Sequence, residues 1–213
     1  MKIVFVHIPK TGGTTLKDIL KRDYGEDNYY EDTSDFGVPD ISSIDKKVIS
    51  GHISFNYSLD GNILLTLLRN PIDRIVSHFG HVLINGHPSK EFAEKGLEYY
   101  AANPHHQQLD NGMVRQIINK MDLPIGSINR LHLNKAINKL GSFSSVGILE
   151  QFDHFVADLF KKGFIKSSDY EIKNQSGVDI SNVLTPQAEA AIINNNRFDI
   201  ELYNIFKNKA VNT

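Results

Sequence analysis

The chain has 213 residues and a mass of 24.0 kDa, which is enough for one domain with a sizeable hydrophobic core and too little for two full-sized domains. Its composition, 40% hydrophobic and 23% charged, is that of a globular protein and excludes a disordered chain, a collagen-like fibre and a coiled-coil rod. With 23 basic and 25 acidic residues the formal net charge is −2, which excludes a globally basic surface for nucleic acids and makes any anion site local.

The sequence contains no cysteine, which excludes disulfides, thiolate metal sites and a cysteine nucleophile and fits a reducing compartment. The first apolar run, Ile3 to Val6, is shorter than the apolar part of a secretion signal. No window of the sequence is long and apolar enough to predict a membrane span. We therefore expect a soluble, cytoplasmic protein with one domain over residues 1–213.

Short apolar runs that end in turn signals predict the first strands, buried on both faces. These runs are Ile3–His7, Lys47–Ile49 and Ile63–Leu68. A glycine loop follows the first run and leads into a helical pattern with Leu16, Ile19 and Leu20 on one side. The third run leads through Pro71 into a helix, with the proline in the tolerated first turn.

Helical patterns predominate in the rest of the chain. We predict helices over 89–101, 107–121 and 129–140, a strand over Ser145–Leu149, and helices over 151–162, 185–194 and 198–207. The alternation predicts an α/β fold with a P-loop-like central parallel sheet of about four to five strands, flanked by helices on both faces. Ligands bind beyond the carboxyl ends of such strands, so the candidate site residues are Lys10, His52 and Arg69.

The loop after the first strand has the composition of an anion site. It reads Pro9-Lys10-Thr11-Gly12-Gly13-Thr14-Thr15. Two glycines let backbone N–H groups converge on an anion, a lysine supplies charge, and hydroxyls lie at the start of the next helix. The loop is not a Walker motif, because the lysine precedes both glycines. The alternative interpretation is a solvated turn with a surface lysine.

Arg69 ends a leucine-rich strand, where an unpaired guanidinium would be costly. Its partner is either a carboxylate such as Asp73 or a ligand phosphate that accepts a forked hydrogen bond. Ser77, about two turns into the following helix, could add a hydroxyl to the same phosphate.

His52 follows Gly51 directly after the second predicted strand. An imidazole near the phosphate loop could accept a proton at neutral pH, and the alternative is a structural histidine. Two further histidine pairs raise the question of a metal: they are His78 with His81, and His105 with His106. No third ligand is fixed in register with either pair, so solvated helix faces are favoured and no metal site is predicted.

Six segments in the same order resemble one known family. The first is His7-Ile8-Pro9-Lys10-Thr11-Gly12-Gly13-Thr14-Thr15-Leu16, and the second is Leu68-Arg69-Asn70-Pro71-Ile72-Asp73-Arg74-Ile75-Val76-Ser77-His78. They are similar to the 5′-phosphosulfate loop and to the 3′-phosphate strand and helix of the Golgi-type sulfotransferases, which include the heparan sulfate 2-O-sulfotransferases. The other segments are 51–55, 110–115, 146–150 and 199–203. Without an anchor segment, the chain looks like a soluble bacterial-type member.

The resemblance implies transfer of a sulfuryl group from 3′-phosphoadenosine 5′-phosphosulfate (PAPS) to a hydroxyl of an acceptor, with a carbohydrate expected and no metal required. On the matching positions, the 5′-phosphate and the bridging oxygen would be bound by Lys10, Thr11, Gly12, Gly13, Thr14 and Thr15. Arg69 and Ser77 would bind the 3′-phosphate, and His52 would be the catalytic base. Lys10 would also stabilise the charge that develops on the leaving oxygen.

The acceptor and its regiochemistry stay open at this point. Uronosyl members of the family carry a second histidine where this sequence has Ser50, and the net charge of −2 favours a neutral or weakly charged acceptor. Arg115 either contacts donor or acceptor or pairs with an acid such as Asp110. Residues 173–177 fall where relatives place a mobile loop over the nucleotide.

Two other functions compete with a sulfotransferase. One is a P-loop-type small-molecule or nucleotide kinase, which would need an acidic residue at a strand end to hold magnesium, and Glu150 is the nearest candidate. The other is a non-catalytic module that binds nucleotides or carbohydrates. No nucleic-acid partner is expected, and the sequence leaves the oligomeric state open.

Overall fold

A computed structural model describes residues 1–33, 40–53, 61–173 and 183–210 of the chain. Its centre is a five-stranded sheet with the order β2-β3-β1-β4-β5, in which every neighbouring pair is parallel. The strands are β1 (Ile3–Val6), β2 (Tyr29–Asp32), β3 (Val48–Gly51), β4 (Ile63–Leu68) and β5 (Ser145–Ile148). The predicted α/β fold with a central parallel sheet is confirmed.

Helices follow or connect these strands and cover both faces of the sheet. They are α1 (Gly13–Tyr24), α2 (Pro71–Ile84), α3 (Lys90–Ala93), α4 (Leu97–Ala102), α5 (Gly112–Ile117), α6 (Arg130–Gly141), α7 (Phe152–Lys161), α8 (Pro186–Asn195) and α9 (Arg197–Ala210). Within the described ranges, none of these helices is long and apolar enough to cross a membrane.

Strand β2 was not predicted, because its sequence lacks a buried apolar run. It reads Tyr-Tyr-Glu-Asp, and its two middle residues are exposed at the edge of the sheet. An edge strand keeps one side in water, so charged residues are tolerated there and the apolar signal is weak. The central strands β1 and β4 are almost entirely buried and apolar, so their sequences do predict strands.

Two predicted helices are shorter or broken. The predicted helix over 89–101 is two helices, α3 and α4, because Gly96 adopts a φ of 94° between them. The predicted helix over 107–121 is a 3₁₀ turn followed by α5, because Asn111 has a φ of 51° and caps the later helix. Left-handed residues interrupt a helix, and sequence periodicity does not reveal them.

Alternate side chains of the strands build a core on each face of the sheet. Val4 and Val6 of β1 pack on the face covered by α5, α6 and α9. Ile3 and Phe5 pack on the face covered by α1 and α7. A third cluster joins α2, α4 and α8 beside the sheet. Helices cover both faces, so the candidate site forms at the carboxyl ends of the strands.

A buried ion pair fixes α2 against the rest of this structure. Arg74 of α2 lies 3.7 Å from Asp199 of α9, and both side chains are fully buried. Arg74 also donates to the side chain of Gln108 at 2.9 Å, while Asp199 accepts backbone N–H bonds from Met113 and Val114 at the start of α5. The network sets the orientation of α2, whose other residues border the candidate site.

Candidate active site

The three predicted strand-end residues lie at the same edge of the sheet. Val6 of β1 is in register with Gly51 of β3 on one side and with Thr66 of β4 on the other. The guanidinium of Arg69 donates a hydrogen bond to the carbonyl oxygen of Lys10 at 3.1 Å. The ring of His52 lies beside the ring of His7, which follows β1 directly. The structure thus brings the segments that carry Lys10, His52 and Arg69 together.

The loop between β1 and α1 has the backbone shape of an anion site. Lys10 adopts a φ of 68° and Gly12 a φ of 80°, so both lie in the left-handed region. A lysine in that conformation costs free energy, which is typical of a functional loop held by its surroundings. Helix α1 starts at Gly13 without a side-chain cap, so the N–H groups of its first turn are available to an anion.

The threonines of the loop differ in what they contact. The buried hydroxyl of Thr11 donates to the carbonyl of Ile8 at 2.8 Å, which holds the loop in shape. The hydroxyl of Thr15 accepts a hydrogen bond from the backbone N–H of Lys173 at 3.1 Å, so it connects the start of α1 to a segment far away in the sequence. Thr14 is half-buried in the first turn of α1. Of the predicted mobile loop over 173–177, residues 174–177 lie outside the described part of the chain.

Gly13 allows the loop between β1 and α1 to pack directly on the imidazole of His7. A Cβ atom at position 13 would lie 2.2 Å from a carbon of that ring, which is far inside van der Waals contact. We expect Gly13→Ala to push the loop and the ring apart, to destabilise the protein by about 1–3 kcal/mol and to weaken binding of 3′,5′-ADP, the product that the family resemblance implies.

Thermal unfolding and isothermal titration with 3′,5′-ADP measure the two effects of Gly13→Ala. The matched control is Gly141→Ala at the end of α6, where an added Cβ meets no atom within 4 Å. That control is expected to leave both quantities unchanged or to raise stability slightly, because alanine favours a helix. Equal behaviour of the two variants would contradict the packing argument.

Lys10 and Arg69 form a pair of neighbouring cations. Burial lowers the pKa of Lys10, and Arg69 lowers it further. Burial also lowers the pKa of Arg69, although Asp73 and Glu150 partly oppose this. The ion pairs among the described residues do not include Arg69, so Asp73 acts on it only at longer range. Two half-buried cations that repel each other favour the binding of an anion between them.

Ser77 of α2 is buried, and it precedes His81 by one helical turn. Lys10 acts electrostatically on both His78 and His81, which places this part of α2 within reach of its ammonium group. The proximity of Ser77 to Lys10 and Arg69 stays a prediction.

A second histidine beside His52 was not among the predicted site residues. The rings of His7 and His52 lie 5.1 Å apart, and the backbone N–H of His7 donates to Gly51 at 3.0 Å. Burial lowers the pKa of His7 well below its ordinary value, and His52, Lys17 and Lys10 lower it further, so His7 is neutral. The position of His7 directly after β1 is the sequence feature that could have identified it as a candidate site residue.

Position 50, where uronosyl sulfotransferases carry a histidine, has a different role in this chain. The side chain of Ser50 is fully buried, and its hydroxyl contacts that of Tyr29 on the neighbouring strand β2. Ser50 thus belongs to the interior of the sheet. The imidazole that accompanies His52 is supplied by His7 from the adjacent strand end.

Two other predicted candidates have structural partners. Arg115 is fully buried and donates to the carboxylate of Asp110 and to backbone carbonyls, including that of Leu123 at 2.7 Å. The ion-pair alternative for Arg115 is confirmed. Glu150 accepts hydrogen bonds from the backbone of Asn70 at 2.8 Å and from the hydroxyl of Tyr203 at 3.1 Å. These bonds use both carboxylate oxygens, which is unfavourable for the magnesium role of the kinase alternative.

No group of three histidine, aspartate or glutamate side chains within residues 1–33, 40–53, 61–173 and 183–210 is arranged to hold a metal ion. The groups at this edge of the sheet that could bind an anion are a lysine, an arginine, hydroxyls and the N–H groups at the start of α1. This set of groups is suited to phosphate and sulfate oxygens.

Two solved structures resemble this chain in their fold. In structural comparison, a crystal structure of a sulfotransferase from Alicyclobacillus acidocaldarius has a TM-score of 0.50 and 13% identity, covering 96% of this chain and 94% of that one. The mouse sulfotransferase SULT7A1 complexed with PAP has a TM-score of 0.45 and 16% identity, covering 100% of this chain and 89% of that one. A sequence comparison with curated proteins found no match.

The family comparison covers nearly the whole chain. The model described as "Sulfotransferase family" matches residues 1–207. The match includes the loop after β1, the segment after β4 and the buried strands that carry them. The chain therefore belongs to the sulfotransferase family and is a sulfotransferase, as its motifs predicted.

Proposed function

We propose that residues 1–213 form a single domain that transfers the sulfuryl group of PAPS to a hydroxyl of a carbohydrate acceptor, without a metal ion. The observation that carries the proposal is that the guanidinium of Arg69 binds the backbone carbonyl of Lys10 and lowers the pKa of its ammonium group. Two half-buried cations so close together favour a ligand with more than one anionic group. PAPS has such groups at both ends of its ribose.

Different groups of the chain would bind the two phosphate-bearing ends of the donor. The N–H groups of Gly12, Gly13, Thr14 and Thr15, together with Lys10, would bind the 5′-phosphate and the bridging oxygen. Thr11 contributes by holding the loop through its bond to Ile8. Arg69 and Ser77 would bind the 3′-phosphate, since a guanidinium can offer two parallel N–H bonds to it.

In the transfer step, the acceptor oxygen forms a bond to sulfur while the bond from sulfur to the bridging phosphate oxygen breaks. The hydroxyl proton moves to an imidazole nitrogen of His52, and 3′,5′-ADP leaves with the bridging oxygen and its bonding electrons. Lys10 stabilises the negative charge that grows on that oxygen. His7, kept neutral by burial, packs beside the base and adds no positive charge to it.

Calorimetry and a transfer assay test the function together. We expect 3′,5′-ADP to bind in the presence of EDTA, and we expect labelled PAPS to add one sulfate, detected by mass spectrometry, to a member of a panel of glycans, lipids and small alcohols. Tight binding of Mg-ATP without binding of 3′,5′-ADP would favour a kinase instead. Binding of 3′,5′-ADP with no transfer to any acceptor would favour a non-catalytic module.

A further inference from the structure

The imidazole of His7 contacts both the expected base and the start of α1. Its ring centroid lies 5.1 Å from that of His52, with an angle of 46° between the two ring planes. The same ring packs on Gly13, the first residue of α1, where an added Cβ would lie 2.3 Å from Nε2 of His7. One side chain therefore touches the loop that is proposed to bind the 5′-phosphate and the residue that is proposed to accept the proton.

Hydrogen bonds to two different elements fix the backbone of His7. Its N–H donates to the carbonyl oxygen of Gly51 on β3 at 3.0 Å. Its own carbonyl oxygen accepts a hydrogen bond from Nε2 of Gln116, a fully buried side chain of α5, at 2.9 Å. The imidazole also stacks on the ring of Phe5, with 5.4 Å between the centroids. The ring is thus held in place before a ligand binds, which suits a group that acts through electrostatic preorganisation.

The two ring nitrogens of His7 are accessible to a ligand. Among the described residues, the hydrogen bonds of His7 are made by its backbone N–H and carbonyl, and neither ring nitrogen takes part in one. In the same part of the chain, the fully buried side-chain nitrogens without a hydrogen bond are Nε of Arg74 and Nε2 of His105. The ring nitrogens of His7 are not among these fully buried atoms, so they are in contact with solvent.

Burial and the neighbouring bases keep the imidazole of His7 neutral. Burial lowers its pKa well below the ordinary value, and His52, Lys17 and Lys10 lower the pKa further. A neutral imidazole has one nitrogen that carries a proton and one that does not. At neutral pH His7 therefore offers one N–H donor and adds no positive charge beside His52.

We propose that the N–H group of His7 donates a hydrogen bond to a non-bridging oxygen of the sulfuryl group during its transfer. The proposal rests on the proposed function, in which the sulfuryl group passes from the 5′-phosphate at the start of α1 to an acceptor hydroxyl at His52. His7 contacts both ends of that path. A fixed donor at this place stabilises the negative charge on the sulfuryl oxygens and keeps the sulfur in line with the attacking oxygen.

Two replacements of His7 separate the N–H group from the packing of the side chain. Methionine and glutamine are both unbranched and of similar length, but only glutamine has an N–H donor. We expect His7→Met to lower kcat by about 10- to 100-fold and His7→Gln to lower it by less than about fivefold. The affinity for 3′,5′-ADP, which lacks the sulfuryl group, should change by less than about threefold in both variants. Transfer from PAPS and calorimetric titration measure these quantities.

A spectroscopic measurement tests the same hydrogen bond without an acceptor. Protein with ¹⁵N-labelled histidines is saturated with 3′,5′-ADP in one sample and, in another, with the PAPS analogue in which a methylene group replaces the bridging oxygen. The signal that is missing from the spectrum of His7→Gln identifies His7. We expect the ring signals of His7 to be those of a neutral imidazole in both samples, and its N–H signal to shift in the complex with the analogue.

Equal losses of kcat in His7→Met and His7→Gln, or the same His7 signals in both nucleotide complexes, would overturn the role of His7. A loss of affinity for 3′,5′-ADP as large as the loss of kcat would overturn it too, since the ring would then only support the loop. Failure of the wild-type protein to bind 3′,5′-ADP would instead contradict the proposed function. The two failures are distinguishable because nucleotide binding to the wild type is measured before any variant is compared with it.

Discussion

Replacing His52 by alanine is expected to abolish most sulfuryl transfer and to leave nucleotide binding intact. A sugar hydroxyl is a poor nucleophile, so loss of the group that accepts its proton should lower kcat by about 10²- to 10⁴-fold. The phosphate groups of the nucleotide are assigned to the loop and to Arg69, on the other strands. The affinity for 3′,5′-ADP should therefore change by less than about twofold. Transfer from PAPS and calorimetric titration measure the two quantities.

A control variant shows whether the loss of activity comes from removing the base or from removing any imidazole. His154→Ala removes an exposed histidine from α7 and should leave both kcat and nucleotide affinity unchanged. The variant His7→Gln gives a second comparison, because His7 packs against His52 and is assigned no proton transfer. It should lower kcat less than His52→Ala does. Full activity of His52→Ala would remove this histidine from the mechanism.

Much of the site could be predicted because it follows from the order of the strands. In a parallel sheet the carboxyl ends of the strands lie at one edge, so a lysine after β1 and an arginine after β4 are expected at the same edge, and the pairing of β1 with β4 makes them neighbours. The buried character of these two strands made them visible as apolar runs. Lys10 and Arg69 follow these strands within a few residues, so each must lie close to the end of its strand.

Other contacts of the site depend on long-range packing that no local pattern encodes. The bond between Thr15 and Lys173 joins residues 158 positions apart in the chain. The rings of His78 and His106 lie 6.1 Å apart, although the two residues belong to separate histidine pairs in the sequence. Sequence spacing shows which residues share a helix face, but it does not show which two segments a third element brings together.

Replacing Arg69 by alanine is expected to weaken the binding of 3′,5′-ADP far more than the binding of 5′-AMP. A charged hydrogen bond to phosphate contributes about 1.5–3 kcal/mol, which corresponds to a loss of about 10- to 150-fold for the nucleotide with a 3′-phosphate. The affinity for 5′-AMP should fall by less than about threefold. Calorimetric titration of both nucleotides gives the ratio directly.

The comparison of two nucleotides is needed because Arg69 also supports the phosphate loop. Its guanidinium donates to the carbonyl of Lys10 at 3.1 Å, so alanine could disturb the 5′-phosphate site as well. Such a disturbance would lower the affinity for both nucleotides by the same factor. That result would show that Arg69 does not bind the 3′-phosphate. Arg69→Lys should be intermediate, because an ammonium keeps the charge but offers no fork. Arg130→Ala, which removes an exposed partner of Glu201, is the control for loss of a positive charge far from the loop.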